Sequence, residues 1–118
     1  MRLGAAVLSV VDLLEDAGLN ATADARDLDL PGALVAPEKV VADRLGGDYT
    51  ITWHVYLLAA DNGPVEALDD LGDMFDRAKD QLGVGEAQPV TLSLPNLAAD
   101  PLPALLLTFD TNVTDESS

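Results

Sequence analysis

The residues able to do chemistry are few, and their spacing works against most of it. His54 is the sole histidine, so any site built on two imidazoles is ruled out. A general base at this position also lacks the partner that would orient it. It falls in the run Thr50-Ile51-Thr52-Trp53-His54-Val55-Tyr56, where a ring serving packing or hydrogen bonding is expected. Ser9 lies in an apolar helical run and Ser93 in an alternating one, and neither has the strand-to-helix elbow of a serine nucleophile. Gly83-Val84-Gly85 follows a helix instead of linking a strand to one, so it is no phosphate cradle. Asp24, Asp27 and Asp29 lack the spacing and turn glycine of a calcium loop. Asn20-Ala21-Thr22 and Asn112-Val113-Thr114 match the glycosylation pattern, which matters only on a secretory route. With no cysteine, disulfides and thiolate metal sites are excluded. No catalytic residue, cofactor or metal site is predicted, and the chain is not read as an enzyme.

One pattern with physical content remains. Asp69, Asp73, Asp76 and Asp80 are spaced four, three and four apart, which places them on one face of a helix. Like charges at these spacings repel by about 0.2–0.5 kcal/mol per pair, roughly 1 kcal/mol across the three. Aspartate is also a weak helix former. Arg77 and Lys79 flank the run and can relieve part of the repulsion. The stripe is either a solvated face or a surface kept negative, to repel DNA or to dock a basic partner.

Composition narrows the choice. In 118 residues there are six basic and 21 acidic side chains, a formal charge of −15. Such a charge repels nucleic acid and anionic membrane, and a binder of phosphate backbones would need the opposite balance. It suits a surface that must not stick to DNA, or a mimic of DNA offered to basic proteins. Hydrophobic residues make up 48%, enough for a folded core in a single domain. Arg2 and Leu3–Val11 resemble a short signal core with Ala21-Thr22-Ala23 as a cleavage site, but Asp12, Glu15 and Asp16 interrupt the interval. No apolar run is long enough to span a bilayer, and a cytosolic site of synthesis is expected.

The elements that must carry these residues follow from periodicity. Leu3, Val7, Val10, Leu14 and Ala17 recur at helical spacing, and Gly18 supplies a stop. Asp12, Glu15 and Asp16 sit at the negative end of that helix, where solvation is the expectation. Leu30-Pro31-Gly32 reads as a turn, and Ala33–Ala36 as a short extended run stopped by Pro37. Glu38–Leu45 fits a strand or a helical turn, with Val40 and Val41 favouring the strand and the flanking charges deciding nothing, and Gly46-Gly47-Asp48 fits a hairpin connection. Tyr49–Ala60 alternates with a period of two, the mark of a half-buried strand. Asp61-Asn62-Gly63-Pro64 is a turn, and Val65–Leu82 a helix with Leu68, Leu71, Phe75, Ala78 and Leu82 inward and Gly83 as its stop. Gln88–Leu94 alternates again, Pro95–Pro103 is a loop, and Ala104–Thr111 a strand covered on both faces. The predicted fold is α+β, a mostly antiparallel sheet of about four strands packed against two helices on one side. Residues 1–111 form the domain and 112–118 an acidic polar tail.

This order of segments resembles the tail terminator proteins of long-tailed phages and the closely similar head–tail joining proteins. The likeness rests on the short N-terminal helix, Pro31–Pro37, the strand Tyr49–Leu58, the helix with Leu68, Leu71, Met74 and Phe75, and the closing pair Val90–Leu94 and Pro103–Phe109. It is a pattern of segments over nearly the whole chain, without a signature motif, and it transfers no site residues. The resemblance implies a virion protein made in the host cytoplasm. It would form a homohexameric ring at the head-proximal end of the tail, between the tail tube protein and the head–tail connector or neck protein. DNA would pass through without specific binding. A neck protein of the same fold is the alternative within that class. An acidic DNA mimic that inhibits a basic protein is the alternative outside it.

Overall fold

The strand that alternation marks most plainly lies at the centre of the sheet. The computed structural model describes residues 2–42, 47–60, 63–94 and 101–114. Its elements run α1 (Leu3–Asp16), β1 (Ala21–Thr22), a 3-10 turn (Ala25–Asp27), β2 (Gly32–Ala42), β3 (Asp48–Leu58), α2 (Pro64–Leu82), β4 (Gln88–Leu92) and β5 (Leu102–Thr114). The fold is α+β, with five strands in the order β1-β2-β3-β5-β4. Every pairing is antiparallel except the parallel one between β1 and β2. The added strand is β1, two residues long and too short to leave a periodic trace.

Ile51, Trp53, Val55 and Leu57 of β3 are fully buried on one face of the sheet. Both helices pack there, α1 through Val10, Val11 and Leu14 and α2 through Ala67, Leu71, Met74 and Ala78. Burial of a large side chain stabilises by about 1.5–3 kcal/mol, so this layer supplies most of the cohesion. Thr50, Thr52, His54 and Tyr56 line the other face and are only half-buried. That face has a smaller apolar cluster at the Leu58 end, where Leu28 and Leu94 pack with Leu58, Leu102 and Ala104.

Helix α2 begins with proline in its first turn and ends on Gly83, whose φ of +67° is left-handed. There Val84 N–H donates to the Lys79 carbonyl at 3.0 Å, closing the helix as a glycine stop does. The buried stripe is centred on Ala67, Leu71, Met74 and Ala78, not on Leu68. Leu68 is turned roughly a quarter-turn from that centre and is 55% exposed.

Two further expectations give way. Pro37 does not stop β2, which continues to Ala42 through a register shift between Pro37 and Lys39. Because β1 pairs only with Ala33 and Leu34, Pro37 lies on a free edge, where a bulge tolerates the missing N–H. Strand β5 starts at Leu102, inside the expected proline loop, and runs through Asn112 and Val113 to Thr114. Those polar residues are held by β3: Asn112 pairs with Thr50, Val113 with Tyr49 and Thr114 with Asp48. Thr50 Oγ1 donates to Asn112 Oδ1 at 3.1 Å and Thr52 Oγ1 to Asp110 Oδ1 at 2.8 Å. Asp61, Asn62, Gly46 and residues 95–100 and 115–118 of the expected turns, loop and tail lie outside the described residues. At Gly32 a Cβ would run into the Asp29 carbonyl oxygen and approach Leu28 Cδ1 to 2.9 Å. Glycine is therefore required where the chain turns into β2.

Candidate functional site

Helix α2 presents all four predicted carboxylates together. Asp69, Asp73, Asp76 and Asp80 are exposed along the side opposite Ala67, Leu71, Met74 and Ala78. Arg77 Nη2 lies 3.3 Å from Asp73 Oδ2, and Lys79 Nζ 3.5 Å from Asp76 Oδ1. Exposed pairs of this kind contribute at most about 1 kcal/mol, so they soften the repulsion without removing it. Asp69 and Asp80 have no ion pair among the described residues. Asp70 adds a carboxylate that the spacing did not single out. With Asp73, Arg77, Leu19, Asn20 and Pro31 it lines an open groove of about 280 Å³ beside the α1–β1 turn.

The other chemistry-bearing residues are placed apart. Glu38, the residue skipped at the β2 bulge, brings Oε2 to 3.8 Å from His54 Nε2. The imidazole meets the Tyr56 ring edge-on, with centroids 6.2 Å apart. This is a half-buried histidine with a carboxylate and an aromatic ring as neighbours. Ser9 Oγ donates back to the Ala5 carbonyl within α1 at 3.1 Å, a local helical bond.

Asp24 caps the 3-10 turn. Its Oδ1 accepts the Arg26 backbone N–H at 2.9 Å, and its carboxylate takes the guanidinium in a fork, the shortest bond being 2.8 Å from Nη2 to Oδ2. Side-chain and then backbone hydrogen bonds from Arg26 pull its pKa from the ordinary 3.8 down to about 2. Asp27 and Asp29 instead border a shallow cleft with Glu15 and Asn20. Among the described residues no three His, Cys, Asp or Glu side chains converge to hold a metal. No described polar or charged residue is buried.

Sequence reasoning missed a set of bare apolar side chains. Val65 is 72% exposed next to Leu68 on α2. Val40 and Val41 are 39% and 49% exposed although they point to opposite faces of β2. Among the described residues neither face of that strand is covered beyond the bulge. No helix among the described residues is long and apolar enough to cross a membrane. No protein-family model matches the sequence, and no curated protein matches it.

Proposed function

We propose that this chain is a structural virion protein, a tail terminator whose copies form a ring that caps the tail tube and joins it to the head connector. The observation that carries the reading is the carboxylate face of α2, an exposed run along one side of the helix that a solvated surface does not need. Repulsion along the run costs about 1 kcal/mol, and aspartate adds a propensity cost of its own. A lumen through which DNA slides gives the cost a use, because negative walls keep phosphates from adhering. Copies carrying −15 each would make that field strong. The order helix, strands, helix, strands agrees with the segment pattern on which the resemblance to tail terminators rests.

A DNA mimic is the weaker reading. Such a protein offers unpaired carboxylates to a basic partner, whereas Arg77 and Lys79 occupy two positions in the middle of the run. The neck protein of the same fold remains the alternative within the class. Electron microscopy of particles assembled without the protein separates the three. Overlong tails are expected for a terminator, tailless heads for a neck protein, and unchanged particles for a mimic.

A further inference from the structure

We propose that copies of this chain meet head to tail, the β2 arm of one seated on the exposed N-terminal half of α2 in the next. The proposal rests on the ring reading and names its contact. On one side, Val41 stands bare beyond the bulge on the same face of β2 as Lys39, which has no ion pair among the described residues. On the other, Val65, Leu68 and Gly72 follow at helical spacing along an exposed line of α2, with Asp69 beside them. Gly72 sits inside the helix with nothing within 4 Å of where a Cβ would be. It fills no internal need, and it costs about 0.8–1 kcal/mol against alanine. A flat spot there lets a neighbouring backbone approach. The two patches therefore match in chemistry, apolar on apolar and a lysine without an ion pair among the described residues against the Asp69 carboxylate.

Within one copy the β2 arm and the start of α2 lie toward opposite ends of β3. Val41 pairs with Thr50 near the start of β3, and α2 departs beyond Leu58 at its other end. Thr50 and Leu58 stand about 25 Å apart along the strand at ~3.3 Å per residue. Two different surfaces at opposite ends make a heterologous contact, the kind that generates rings. Strand-to-strand addition is disfavoured, because Pro89 sits on the β4 edge and Pro37 with the bulge on the β2 edge.

The chain has no cysteine, so Val41→Cys and Leu68→Cys introduce the only thiols, both at exposed positions. Mild oxidation of a mixture of the two single variants should yield disulfide dimers at least about tenfold faster than either variant alone, the gain given by a pre-formed contact. Lys39→Glu on the arm should slow the reaction, and Asp69→Lys on the helix partner should restore it. Sedimentation of the wild-type chain runs alongside. Oligomers without selective cross-linking, or Val41→Cys pairing with itself, would overturn this contact and leave the ring standing. A monomer at every concentration, with no cross-linking, would overturn both.

Discussion

Trp53 Nε1 donates a 2.8 Å hydrogen bond to Thr111 Oγ1 on the neighbouring strand. The indole is fully buried between the sheet and its helices, so this bond satisfies the one polar atom the large ring brings into the core. Replacing Thr111 by valine keeps the shape and leaves the N–H unpaired, at a cost of about 1–3 kcal/mol. Trp53 is the only tryptophan, and its fluorescence can follow urea unfolding of both proteins. A difference within about 0.5 kcal/mol, the range of a neutral surface change, would contradict the role given to Thr111.

Helix α2 separates two leucines that its sequence treats alike. Leu71 is 1% exposed and Leu68 55%. Leu71→Ala should cost about 2–5 kcal/mol and Leu68→Ala no more than about 0.5 kcal/mol in the monomer. Chemical denaturation of the two variants checks the order, and equal losses would mean that the helix is rotated.

Where patterns are long and regular, the sequence makes the fold legible. Tyr49 to Leu57 alternates without a break, and the interval from Pro64 to Gly83 carries both its start and its stop. Spacing alone places the four aspartates on one face. Leu68 is exposed despite its spacing, because helical spacing fixes which residues share a side but not where the neighbouring sheet ends. Pro37 hid the second half of β2, since an edge bulge accepts a proline that a central strand would not. Asn112 and Thr114 looked like a loose tail because their partners, Thr50 and Asp48, lie far away in the chain. Leu28 gave no sign of burial, as it follows a turn and owes its cover to the sheet face beneath it.

Two glycines of α2 should respond in opposite directions. Gly83 holds a φ of +67°, where alanine is strained, so Gly83→Ala should destabilise by about 1 kcal/mol. Gly72 has open space around it, and Gly72→Ala should stabilise the monomer by about 0.8–1 kcal/mol. Thermal melts read both signs directly. A loss at Gly72 would mean that something packs against it within the chain.

Asp24 gives a pH signature. Its folded pKa, about 2, lies below its ordinary value of 3.8, so its contribution is present above about pH 4 and fades as the pH falls through about 2. Carboxyl-carbon NMR should place its midpoint near the lower value. Arg26→Gln should return it towards the ordinary one by removing the guanidinium hydrogen bonds. An unchanged midpoint in that variant would assign the shift to another cause.

The charge of each copy, −15, sets the sign of the salt response. Screening of that mutual repulsion should strengthen self-association as salt rises, outweighing the loss of exposed pairs worth about 0.2–1 kcal/mol each. Binding of a basic partner by a DNA mimic would weaken instead. Sedimentation across a salt series distinguishes the two, and association that falls with salt would count against the ring.

Negative-stain microscopy is the most direct test of the collar itself, applied both to purified protein and to particles assembled without it. Rings with an open centre, together with tails that overrun their normal length, are the expected result. A protein that stays monomeric at high concentration, with tails of unchanged length in its absence, would contradict it.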